Sequence, residues 1–155
     1  MYRVLVDNIP EGTNASNGTP ISTLIEFENG EKPMAFTTMT RDTDKKFIFF
    51  ATKNGTIKKV PLDEYDKMKR TGIIAISFKD GDELADVTFI NQEQMLLVTK
   101  NGMAIRFGTA EMPISSRTAQ GVKGMKLNDG DSVIAALPIM DSADYLAIVS
   151  KNGLG

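Results

Sequence analysis

Apolar residues in this chain come in short, nearly continuous runs with no helical periodicity. Three such runs, Phe47-Ile48-Phe49-Phe50-Ala51, Met95-Leu96-Leu97-Val98 and Tyr145-Leu146-Ala147-Ile148-Val149, each stop at the same kind of polar tetrad. The tetrads are Thr52-Lys53-Asn54-Gly55, Thr99-Lys100-Asn101-Gly102 and Ser150-Lys151-Asn152-Gly153. Asn-Gly between apolar segments is the strongest short hairpin signal, so each unit predicts a strand, a two-residue type I′ turn with positive φ at both Asn and Gly, and a returning strand. Because the runs are continuous, with no alternation of apolar and polar positions, they predict strands buried on both faces.

The tetrad glycines lie 47 and 51 residues apart, which marks a repeat. A second landmark recurs at nearly the same interval: Glu28-Asn29-Gly30-Glu31, Lys79-Asp80-Gly81-Asp82 and Asn128-Asp129-Gly130-Asp131. Each sits between apolar stretches, such as 73–78 and 84–90, and predicts the turn of a second hairpin. Two hairpins per unit make about four strands, the content of a propeller blade. Sliding the chain by 103 residues places Arg3 on Arg106, Pro10 on Pro113 and Gly18 on Gly121 without a gap. The expected units are 1–45, 46–93 and 94–143, with the start of another at 144–155, so the chain reads as an excerpt of one all-β domain in a longer polypeptide. Residues 62–70 are the one helix candidate; behind Pro61 they predict a loop with a turn of helix. The nine methionines read as fillers of irregular space between blades.

Composition narrows the chemistry. With no cysteine and no histidine, the chain excludes disulfides, thiolate zinc sites and imidazole-based nucleophilic catalysis within this segment. No stretch approaches the roughly twenty apolar residues of a membrane span, and the N-terminus lacks a signal-peptide layout, so the expected setting is cytoplasmic. A formal charge of −2 gives no global pull towards a polyanion. The acidic turns, with Asp80, Asp82, Asp129 and Asp131, lack the ligand set of a calcium loop and read as turn chemistry; neither metal nor catalytic residues are expected.

Basic residues are clustered. Lys67, Lys69 and Arg70 fall within four positions; Arg117, Lys123 and Lys126 occupy a Gly-containing loop at 115–126 without an acid. Lys53, Lys58 and Lys59, with Lys100 and Arg106 in the next unit, decorate the Asn-Gly hairpins. Equivalent positions on successive blades would line these charges along a curved edge suited to duplex phosphates. The glycines of the 115–126 loop suggest close backbone approach to a phosphate. Each basic residue taken singly reads more readily as part of a solvated face.

Four stretches together resemble a known family. Tyr2-Arg3 through Ile9-Pro10-Glu11, Phe49 through Lys59, Leu97 through Phe107 and, most specifically, Arg117-Thr118-Ala119-Gln120-Gly121-Val122-Lys123-Gly124-Met125-Lys126-Leu127 are similar to the C-terminal domain of the A subunit of bacterial DNA gyrase and of its topoisomerase IV paralogue. The resemblance implies a β-pinwheel, a propeller-like disc whose neighbouring blades exchange strands, with double-stranded DNA wrapped on its basic rim. It further implies a non-catalytic, nucleoid-associated segment without a cofactor, working with the rest of the A subunit, and with the B subunit that hydrolyses ATP. The gyrase box Gln-Arg-Arg-Gly-Gly-Lys-Gly is absent; in the family it precedes the segment that residues 2–11 resemble. The 117–127 stretch favours gyrase. A propeller used as a protein-interaction platform is the alternative, and an enzyme built on a propeller face is the weakest reading.

Overall fold

The computed structural model describes residues 1–40, 44–66, 71–91, 93–140 and 145–153. Seven strands carry the fold: β1 (Phe47–Thr52), β2 (Thr56–Pro61), β3 (Leu84–Ile90), β4 (Gln94–Thr99), β5 (Ala104–Gly108), β6 (Val122–Lys123) and β7 (Val133–Ile139). They form an antiparallel four-stranded sheet in the order β3-β1-β2-β6 and a three-stranded sheet in the order β5-β4-β7. The two sheets repeat one plan. β1 and β4 are the central strands, β2 and β5 return from the Asn-Gly turns, and β3 and β7 flank the other side, each with a register shift one residue before the turn.

β1 is buried on both faces, as its unbroken apolar run predicts. Phe49 and Ala51 face the second sheet and pack with Ile57, Ile90, Met95, Leu97, Met125, Val133 and Ala136. Ile48 and Phe50 point the opposite way, into a cluster with Val60, Tyr65 and Ile76. Met95 and Met125 take the inter-sheet filling role expected of methionine. Across the same gap the Ala136 amide donates to Asp86 Oδ2 at 2.9 Å.

The Asn-Gly turn differs from the sequence expectation. Its loop has three residues, Lys53-Asn54-Gly55, because Ala51 pairs with Ile57, and only the glycine has positive φ, +82° at Gly55 and +83° at Gly102. Gly55 N donates to Thr52 O, and Gly102 N to Thr99 O, both at 3.0 Å. This is a type I turn completed by one left-handed residue, the usual three-residue hairpin loop. The threonine before the lysine closes it: Thr52 Oγ1 accepts from Thr56 N at 3.0 Å and Thr99 Oγ1 from Met103 N at 3.1 Å.

The Asp-Gly landmarks are turns, with Asp82 N to Lys79 O at 3.0 Å and Asp131 N to Asn128 O at 3.1 Å, but they do not close hairpins. The chain enters the Asp129-Gly130 turn from β6, in the first sheet, and leaves it into β7, in the second. A strand from 94–143 thus completes the sheet built on 46–93, a strand exchange of pinwheel type. Residues 73–78, expected as a strand, form none. Their polar backbone is satisfied in other ways: Ile73 exchanges hydrogen bonds with Met1, Ile74 O accepts from Arg117, and Ala75 O accepts from Lys58 and Tyr65. Residues 1–40 likewise hold turns and two short 3-10 segments, Val6–Asn8 and Ile21–Thr23, but no strand. The expected helical turn after Pro61 is a 3-10 turn at Leu62–Tyr65.

Candidate nucleic-acid interface

The connector that follows β5 runs along the outer edge of β2. Ser115 N donates to Lys59 O at 2.9 Å, β6 then pairs Val122 with Ile57 and Lys123 with Thr56, and Gly124 N reaches Gly55 O at 2.8 Å. Arg117, Lys123 and Lys126 are therefore strung along one sheet edge that ends at the first Asn-Gly turn. Lys123 and Lys126 are exposed; Arg117 is half-buried and its Nη1 donates to Ile74 O at 2.5 Å.

The second Asn-Gly turn lies beside the first. Lys100 N donates to Ser132 O at 2.8 Å, and the next residue, Val133, donates to Lys53 O at 2.9 Å. Lys53 and Lys100 thus share one end of the paired sheets, as the repeat suggests. They are not equivalent in charge. Lys53 Nζ is bound by Glu83 Oε2 at 2.6 Å, whereas Ser132, the counterpart of Glu83, offers Lys100 no carboxylate. Arg106, on β5, is exposed and bonded to Gln94. Lys67, Lys69 and Arg70 lie outside the described residues.

Two expected surface lysines are interior. Lys58 is 1% and Lys59 3% exposed. Lys58 Nζ donates to the carbonyls of Ala75, Arg117 and Ala119 at 3.0, 2.5 and 2.9 Å, and lies 5.6 Å from the centre of the Phe50 ring. Burial, followed by the Arg117 guanidinium, pulls its ammonium from 10.5 down to about 8. Lys59, on the opposite face, donates to Thr109 O at 2.6 Å beside the Phe47 ring, and burial lowers its ammonium too. Successive strand residues point to opposite faces; Ala75 and the connector at 117–119 close over Lys58, and Thr109 closes over Lys59.

The glycines of the connector also serve differently from expected. A Cβ on Gly121, whose φ is +97°, would stand 2.4 Å from Ile57 O, and one on Gly124 would stand 2.5 Å from Ile57 Cγ2. The close approach that glycine permits here is to β2, not to a ligand.

The acids of the Asp-Gly landmarks, read from sequence only as turn residues, hold the neighbouring tetrads. Asp82 Oδ1 accepts from Asn54 N and Asp131 Oδ1 from Asn101 N, each at 3.0 Å, while Asp131 Oδ2 accepts from Thr99 Oγ1 at 2.6 Å. Those bonds, the Thr99 hydroxyl first, hold the Asp131 carboxyl below its ordinary 3.8. The signal for this was the recurrence of an acid directly after each Asp-Gly pair.

Sheet plan, strand exchange and edge connector together match one family. The sequence model of the "DNA gyrase C-terminal domain, beta-propeller" fits residues 46–91 and 93–140. The chain belongs to this family. Similar proteins include the DNA gyrase A subunit of Helicobacter pylori, 37% identical over 158 residues, and that of Lawsonia intracellularis, 35% identical over 156. All of this chain aligns with them, yet it spans only 19% of their length. Among solved structures, the C-terminal domain of DNA topoisomerase IV superposes with a TM-score of 0.70 at 29% identity, covering 79% of this chain and 39% of that one. The DNA gyrase A C-terminal domain superposes equally well, at 25% identity over 79% of this chain and 41% of that one.

Proposed function

We infer that this segment is a DNA-wrapping part of the A subunit of a bacterial type IIA topoisomerase, with gyrase favoured, and that it bends duplex DNA along the edge formed by β2, β6 and the 115–126 connector. The observation that carries this reading is the row of Arg117, Lys123 and Lys126 along one sheet edge of a gyrase C-terminal fold, with Lys100 at the adjoining turn. Spaced cations on a rigid edge meet phosphates without reading bases, which suits wrapping. Lys53 contributes less because Glu83 already neutralises it. Lys58 and Lys59 act behind the surface, and Arg106 sits on the corresponding edge of the second sheet. Strand cleavage is assigned to the remainder of the A subunit, with ATP hydrolysis in the B subunit; these are the partners this reading calls for, in a cytoplasmic, nucleoid-associated setting. No helix among the described residues is long and apolar enough to cross a membrane.

The test is a duplex-binding titration across salt. Replacing Arg117, Lys123 and Lys126 together by Ala should weaken binding and flatten its logarithmic salt dependence by about 2 to 3, one for each lost phosphate contact. Identical curves for the triple variant and the wild type would remove the edge from the interface. The acidic turns, with Asp80, Asp82, Glu83, Asp129 and Asp131 near Lys53 and Lys100, favour a second reading, a protein-docking platform. Capture of a protein partner without duplex retardation at low salt would support that reading.

A further inference from the structure

The buried Lys58 has no place in a surface interface, yet its three donors all end on the backbone beneath it. We propose that Lys58 is a positioning residue: its ammonium gathers the Ala75, Arg117 and Ala119 carbonyls and so sets the path of the connector that carries Arg117, Lys123 and Lys126. This rests on the DNA-binding reading of that connector.

The geometry is specific. An ammonium has three hydrogens, and three carbonyl oxygens lie within 3.0 Å of Nζ. Two of them, on Arg117 and Ala119, flank Thr118, whose own carbonyl accepts from Ser77 Oγ at 2.8 Å. The third, on Ala75, also takes the Tyr65 hydroxyl at 3.1 Å. Three consecutive connector carbonyls are thus tied by side chains from β2 and from 73–78, at the point where the connector turns towards β6. Few other bonds are available there, because a two-residue β6 supplies only a short ladder. A Leu or Met would fill the same volume beside Phe50 but would leave the two connector carbonyls without these donors, so packing alone does not account for a lysine.

Lys58→Met in the full chain tests this by three readouts. Backbone amide exchange at 117–124, without DNA, should rise roughly tenfold while exchange in β1 and β4 stays unchanged. Duplex affinity should fall, and combining Lys58→Met with the Arg117, Lys123 and Lys126 triple Ala variant should add less than about twofold to the loss of the triple variant alone, because both act through one connector. Unchanged connector exchange, or full additivity with the triple variant, overturns the proposal. If the triple variant binds DNA normally, the DNA reading fails and the exchange result still decides whether Lys58 sets the connector.

If Lys58→Met does not fold, the wild type decides. The amide resonances of Thr118, Ala119 and Gln120 should titrate with a midpoint near 8, where the Lys58 ammonium releases its proton. Loss of the Lys58 proton, followed by its own side-chain resonances, without a shift of these amides overturns the proposal. Arg117 and Glu64 also face this site, and burial raises the Tyr65 phenol above its ordinary 10. The Met1 ammonium, bonded to Ile73 O, titrates below its ordinary 8.0 and is told apart by its effect on the Ile73 amide.

Discussion

Glycines that look alike in sequence have different duties. Gly102 has φ +83° and open space around it, so Gly102→Ala should destabilise by about 1–2 kcal/mol, the strain of a left-handed alanine. Gly121 adds a collision with Ile57 O, and Gly121→Ala should lose roughly 3 kcal/mol or more in urea unfolding. Equal midpoints for the two variants would show that the connector does not press on β2. Lys58 gives a pH signature. Its ammonium is lowered from 10.5 to about 8, so between those values the unfolded chain holds a proton that the folded chain has released. Its unfavourable contribution is fully present below about pH 8 and fades as the pH rises towards 10.5. The unfolding free energy of the wild type minus that of Lys58→Met should therefore rise over this window. A constant difference would mean the buried ammonium is not perturbed. The Tyr65 phenol, raised by burial, works in the opposite sense above its ordinary 10, but it is common to both proteins and cancels.

At the level of elements, β2 and β5 share one sequence pattern and meet different environments. Both follow an Asn-Gly turn and both carry a basic residue four positions after its glycine, Lys59 and Arg106. β6 and the connector cover β2; β5 has no strand on its outer side among the described residues, and Ala104, Ile105 and Arg106 are exposed. Removing the donor that satisfies Thr109 O should make Lys59→Met roughly 1–3 kcal/mol less stable, while Arg106→Ala should stay within about 0.5 kcal/mol in the same denaturant assay. Equal losses would refute the assigned environments. The β1–β2 and β4–β5 hairpins were legible because apolar runs and turn residues are local signals; the run at 145–149, expected as a third buried strand, forms none and is exposed. The partner across an Asp-Gly turn was not: 73–78 and β3 look like two arms of a hairpin, but β1 takes β3, and side chains satisfy the Ile74 and Ala75 carbonyls.

The molecule as a whole is two sheets sharing one core, in which Phe49 and Ala51 of the first pack with Met95 and Leu97 of the second. Leu97→Ala should therefore lose roughly 2–5 kcal/mol, and both sheets should unfold in one transition. Separate transitions, followed by amide signals of β1 and β4, would show that the sheets are independent. The sequence by itself determined the all-β class, the repeat, the turn positions and the family resemblance, because turn residues and continuous apolar runs act over a few positions and recur from unit to unit. Only the tertiary structure decided which basic residues face solvent. Lys58, Lys59 and Lys123 carry the same charge in similar local sequence, and what separates them is whether a stretch of chain fifty or more residues away closes over them, as the connector at Thr109 and 117–119 does over Lys58 and Lys59. Burial is set by that long-range pairing, and no local pattern encodes it.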